Sequence, residues 1–130
     1  MSDVSDASQP LSGCRLLIVE DNFILAASVA QVLEDAGAIV VGPFATMIDA
    51  LEYLTDLTPI DGAILDIGLE EQESYPLADA LQTTRIPFMF LTGVEKRHLP
   101  ERFANSPHLG KPFSNDKLVQ MLVKIGVTHT

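Results

Sequence analysis

Apolar residues in this chain come in short unbroken runs, each closed by polar residues, and between the runs they recur at helical spacing. Leu16-Leu17-Ile18-Val19 leads into Glu20-Asp21, Ala63-Ile64-Leu65 into Asp66, Phe88-Met89-Phe90-Leu91 into Thr92-Gly93, and His108-Leu109-Gly110 into Lys111-Pro112. Continuous apolar runs of strand length suit strands buried on both faces of a parallel sheet. A first strand is expected over Arg15 to Glu20. A helix follows from Asn22, with Ile24, Leu25, Val29, Val32 and Leu33 on one side and Gly37 as its stop. Ala38 to Val41 reads as a second strand ended by Gly42-Pro43, and Thr46 can cap a helix that turns Ala50, Leu51 and Leu54 inward. Pro59-Ile60-Asp61-Gly62 forms a turn into a third strand, Ala63 to Asp66; an acidic loop then leads to a helix from about Pro76 to Thr84. Pro87 opens a fourth strand, Phe88 to Leu91. A short helical stretch near Lys96 to Phe103, a brief strand from His108 to Gly110, and a closing helix from Ser114 or Asn115 to Ile125 complete the series. Five strands alternating with about five helices predict an α/β fold, a doubly wound parallel sheet with helices on both faces.

Composition narrows what such a domain can do. The chain has 130 residues, 47% of them hydrophobic, which suits one domain with a real core and leaves an output module out of the expectation. Residues 1–13, rich in Ser, Asp, Gln and Pro, read as a flexible tail, with the domain over 14–130. A net charge of -10, with only 8 Lys and Arg, argues against nucleic acid as a partner. One cysteine, Cys14, excludes an internal disulfide and reads as an inert residue at a strand start. No apolar run approaches the roughly 18 residues of a membrane span, and the polar, acidic start is unlike a secretion signal. No membrane insertion and a cytoplasmic location are therefore the expectation.

In an open parallel sheet, ligands bind beyond the carboxyl ends of the strands, so groups that close different strands meet in one place. Glu20, Asp21, Asp66, Thr92 and Lys111 would converge there. Three carboxylates can hold a hard divalent cation, while a hydroxyl and an ammonium receive phosphoryl oxygens.

These four signatures in this order resemble the receiver domain of bacterial two-component response regulators, over about Arg15 to Val127. The resemblance selects the flavodoxin-like strand order 2-1-3-4-5. It implies that Asp66 accepts a phosphoryl group from a histidine kinase or a histidine phosphotransfer protein, with Mg²⁺ or Mn²⁺ held by Glu20, Asp21, Asp66 and the backbone carbonyl of Gly68. It implies further that Thr92 and Lys111 bind phosphoryl oxygens, and that Pro112 is a cis-proline directing the lysine. Such a protein is a phosphoacceptor rather than an enzyme turning over an external substrate. It passes its signal to a downstream protein partner or by onward phosphotransfer, through the face formed by the fourth helix, fifth strand and closing helix of the family. Phe90-Leu91-Thr92-Gly93, with Tyr75-Pro76-Leu77-Ala78-Asp79-Ala80-Leu81, resembles the single-domain branch with a Phe-x-Thr-Gly signature.

Each residue also has a plainer reading. Asp66 alone would be a solvated loop acid, Glu20 and Asp21 helix N-terminal acids stabilised by the macrodipole, Gly68 a loop glycine, and Thr92 a strand-end threonine. His108 stands where the family commonly has the Tyr or Phe of a rotamer switch; it is either a replacement sensor or an ordinary strand histidine. Phe113 reads as core, and His98 and His129 as surface. The first rival function is a receiver-like adaptor that binds partners without phosphorylation. The second is an aspartate-nucleophile phosphatase or dehalogenase, which calls for a second Asp where Gly68 stands. A flavin-binding protein is disfavoured because Glu20-Asp21 would repel phosphate after the first strand.

Overall fold

The computed structural model describes residues 9–54, 59–67, 71–92 and 100–128, without the side chains of Met47 and residues 71–74. Five parallel strands form one sheet: β1 (Arg15–Val19), β2 (Ile39–Phe44), β3 (Gly62–Ile67), β4 (Phe88–Thr92) and β5 (His108–Gly110). Their order is β2-β1-β3-β4-β5, so the expected topology holds. Among the described residues the sheet is accompanied by α1 (Phe23–Asp35), α2 (Met47–Leu54), α3 (Glu71–Thr83), α4 (Asn115–Lys124) and a 3-10 turn over Glu101–Phe103.

Successive strand residues point to opposite faces, and along the central strands β1, β3 and β4 both faces are dry. Leu16, Ile18, Ile64, Met89 and Leu91 pack against α1 and α4 through Val29, Leu33, Leu118 and Leu122. Leu17, Val19, Leu65 and Phe90 pack on the other side against Ala50 of α2, Leu77 and Leu81 of α3, and Phe103. This explains why the strands read as unbroken apolar runs rather than alternating ones.

Three helices, α1, α2 and α4, start where short polar side chains can accept from orphan backbone N–H groups. Asn22 Oδ1 accepts from Leu25 N at 2.9 Å, Thr46 Oγ1 from Asp49 N at 3.2 Å, and Ser114 Oγ from Lys117 N at 3.1 Å.

Three expectations need correction. The second strand does not stop at Val41 but runs through Gly42-Pro43 to Phe44. Leu17 pairs with Val41 and Val19 with Phe44, so β2 carries one extra residue, a bulge at the edge of the sheet where a proline's missing N–H is tolerated. The third helix begins at Glu71, ahead of Pro76, which lies inside it. The tail does not extend to Gly13: Leu11 is fully buried, its N–H donates to Ala36 O at 3.0 Å, and Gly13 N–H donates to Gly37 O at 3.0 Å. The packed unit therefore includes Gln9 to Gly13, because Leu11 completes the core beneath α1. Of the expected stretch from Lys96 to Phe103, only its end, the 3-10 turn, lies within the described residues.

Candidate functional site

Parallel pairing aligns the carboxyl ends of the central strands, and the polar groups gather there. β1 ends at Val19, so Glu20 and Asp21 follow it directly; Asp66 is the penultimate residue of β3, Thr92 the last of β4, and Lys111 the first after β5. Asp66 pairs with Leu91 and Thr92 with Gly110, which sets the carboxylate and the hydroxyl on neighbouring strands.

Glu20, Asp21 and Asp66 each bring a carboxylate oxygen within 4.8 Å of the others. Lys111 Nζ contacts Asp66 Oδ1 at 2.5 Å and stands 3.7 Å from Glu20 Oε1. Glu20 and Asp66 side chains are only 1% and 6% exposed, whereas Asp21 faces solvent. Two buried acids, Glu20 and Asp66, therefore share one ammonium, with the Asp21 carboxylate beside them. Glu20 Oε2 accepts from the Asn22 N–H at 3.0 Å, while Oε1 is buried without a hydrogen-bond donor among the described residues.

Electrostatics follow from this shortage of positive charge. Burial pushes the Glu20 carboxyl up from 4.5 to about 7; the Asn22 N–H opposes the rise, the nearby Asp66 carboxylate adds to it, and Lys111 pulls it back. An orphaned, buried carboxylate oxygen beside two further acids is the donor set a hard divalent cation takes, so the residues fit Mg²⁺ or Mn²⁺. Cys14, also buried, has its thiol pushed above its ordinary value by burial and then by the charge of Asp61, which keeps it protonated and inert.

Thr92 is 4% exposed, and its Oγ1 is the nearest atom, at 4.0 Å, to where a Cβ on Gly110 would stand. Its carbonyl accepts from the Lys111 N–H at 2.8 Å, which ties the lysine backbone to the end of β4. The Lys111-Pro112 peptide is cis, as the resemblance implies. His108 opens β5 beside Phe90, half-buried, with Nδ1 3.3 Å from the Ser106 carbonyl oxygen. Phe113 packs against the α1 and α4 core. Gly68, Gly93, His98 and His129 lie outside the described residues.

Sequence reading overlooked two supports. Asn22 was legible as a helix cap, but its N–H also fixes Glu20 Oε2. Phe44, beyond the supposed end of the second strand, accepts the Glu20 N–H at 2.9 Å and so sets where the acid stands.

The family profile of the response regulator receiver domain matches residues 16–123. The transcriptional regulatory protein PdtaR of Mycobacterium tuberculosis is 30% identical over 119 residues, 88% of this chain and 56% of that protein. The chain thus spans about half the length of that relative. The solution structure of SdrG from Sphingomonas melonis Fr1 is similar with a TM-score of 0.76 and 36% identity, over 87% of this chain and 96% of that one. The BeF3-activated conformation of SdrG matches with a TM-score of 0.72 and 36% identity over 86% and 95% of the two chains. CheY4 of Vibrio cholerae shares the fold at a TM-score of 0.73 and 21% identity, over 88% of this chain and 99% of that one.

Proposed function

Because the chain belongs to the response regulator receiver domain family, we propose that it accepts a phosphoryl group on Asp66 from the phosphohistidine of a histidine kinase or phosphotransfer protein. The observation that carries this reading is the contact of Lys111 Nζ with Asp66 Oδ1, at 2.5 Å, beside the acidic pair Glu20 and Asp21. An Asp66 oxygen attacks phosphorus, the P–N bond breaks, and its electron pair leaves with the donor imidazole. Glu20, Asp21 and Asp66, with the Gly68 carbonyl that the family resemblance adds, would hold a divalent cation, which would supply screening of the negative charge on the carboxylates and the phosphoryl oxygens. Lys111 exchanges its carboxylate partner for a phosphoryl oxygen, and the Thr92 hydroxyl donates to another. Pro112 orients the lysine, and His108 occupies the position of the usual aromatic switch.

The chain is on this reading a phosphoacceptor that signals through protein contacts or onward phosphotransfer, not an enzyme with an external substrate. Phe23 and Ile24, 84% and 80% exposed at the start of α1, supply an apolar rim next to Asp21, which supports docking of a protein donor rather than a small one. Among the described residues no helix is long and apolar enough to cross a membrane. The likeness to SdrG, of which a BeF3-activated conformation exists, supports a working acceptor site over a constitutive adaptor.

Intact-mass spectrometry after incubation with acetyl phosphate and Mg²⁺ tests the proposal. The wild type is expected to gain one phosphoryl mass, and Asp66→Ala none. No gain, together with no beryllofluoride-induced change in the amide spectrum, would leave the adaptor reading in its place.

A further inference from the structure

Three helices stop with the same pair of backbone bonds, which requires a left-handed residue just past the end. After α1, Gly37 N–H donates to Glu34 O and Ala38 N–H to Leu33 O; after α4, Gly126 N–H donates to Val123 O and Val127 N–H to Leu122 O. After α3, Arg85 N–H donates to Gln82 O and Ile86 N–H to Leu81 O. Two of these left-handed positions hold glycine, at φ 95 and 101; the third holds Arg85 at φ 62, the sole non-glycine residue with positive φ among the described residues. Arginine occupies this place at a steric cost that glycine would not carry, and its side chain extends from the end of the helix.

That side chain lines a recess of about 460 Å³. The recess lies below the start of β4 and β5, at the end of the sheet opposite the acidic site, with Arg102 and Asn105 at its rim and Ile86, Pro107 and Ile125 among its walls. In a chain with 18 acidic and 8 basic residues, its described lining holds two arginines and no carboxylate. Arg102 is already oriented: Asp79 chelates it through Nε and Nη2 at 2.9 and 3.0 Å, and its guanidinium carbon stands 4.7 Å from the centre of the Phe103 ring. That chelate uses two of five N–H donors.

We propose that this recess docks an acidic segment of a partner protein, whose carboxylate pairs with Arg85 and Arg102 while an adjacent apolar side chain fills the space against Ile86, Pro107 and Ile125. The volume falls in the range of about 300–1,000 Å³ typical of ligand sites, more than one carboxylate needs. A free small anion would use the charge and leave the apolar walls wet, whereas an acidic and apolar segment covers both. The proposal is independent of phosphorylation at Asp66.

Amide spectra of the full chain, titrated to about 1 mM with a short peptide alternating Asp or Glu with Leu or Phe, provide the test. Its Asn and Gln counterpart and sodium acetate are titrated alongside. The acidic peptide is expected to shift the signals of residues 82–87 and 102–107, binding about tenfold more tightly than the amide peptide. Arg85→Gly, which relieves the backbone, should weaken binding severalfold while the protein stays folded; Asp66→Ala should bind like the wild type. No shifts in the recess, equal binding of the amide peptide, or unchanged binding by Arg85→Gly would overturn the proposal. Acetate reproducing the shifts at the same affinity would also overturn it, in favour of a small-anion site.

Discussion

Removing the ionisable group of Glu20 should erase a pH dependence that the cation-free protein otherwise shows. In the folded state Glu20 keeps its proton up to about 7, while in the unfolded chain it releases it near 4.5. Between those values the folded state holds more protons than the unfolded one, so stability falls as pH rises. At about 1.36 kcal/mol per unit of pKa difference, moving from pH 5.5 to pH 8 removes about 2 kcal/mol. For a domain of this size that is a fall of about 6–10 °C in melting temperature. Among the described residues the other shifted groups lie outside this window. Asp79, held below its usual range first by the hydrogen bond from Arg102, contributes stability that is lost only in more acidic solution, and Cys14 titrates above 9.0. The assay is thermal unfolding followed by circular dichroism in EDTA across that range, for wild type and Glu20→Gln. The wild type should lose stability with rising pH and the variant should be flat; excess Mg²⁺ should flatten the wild-type curve by holding Glu20 ionised. A wild type that does not weaken between pH 5.5 and 8, or a variant that weakens equally, would refute the reasoning.

Three more perturbations probe the frame. Arg85→Gly should raise stability by about 1 kcal/mol, read as a higher urea midpoint, because it relieves a left-handed arginine at φ 62; a lower midpoint would contradict the strain. Leu11→Ala should cost about 2–5 kcal/mol, since Leu11 is fully buried; an unchanged midpoint would put Gln9 to Gly13 outside the cooperative unit. Gly62→Ala should cost about 1–3 kcal/mol, because its Cβ would stand 2.7 Å from Val127 Cγ2 and 3.0 Å from Leu16 Cδ2, and adding Val127→Ala should recover part of the loss.

The central strands were legible because a strand covered on both faces leaves an unbroken apolar run, and Leu16 to Val19 or Phe88 to Leu91 admit little else. The site was legible for a related reason: a polar residue that ends such a run must stand at the carboxyl edge of the sheet. What local pattern could not reveal were tertiary compensations. Gly42-Pro43 is a breaker in most settings but sits here at a bulge on an edge strand. Pro76 looked like a helix start, and residues 71–75 carry too few apolar side chains to announce a turn before it. Leu11 stands alone among polar neighbours, so only the space beneath α1 tells that it is core. Likewise, the sequence places Glu20 beside Asp21 but says nothing of their unequal burial, which decides how strongly Glu20 holds its proton.

The two rims of the sheet have a consequence of their own. One rim is β5, three residues long; the other is β2, bulged at Gly42-Pro43, where Pro43 offers no N–H. An unguarded strand would be a template onto which a neighbouring ribbon could zip, repeat by repeat. Here one border is brief and the other is interrupted, so neither offers a long, regular template for pairing between copies. Traffic with other proteins then falls to side chains on helices and loops, where recognition depends on chemistry and shape rather than on the indiscriminate stickiness of bare backbone.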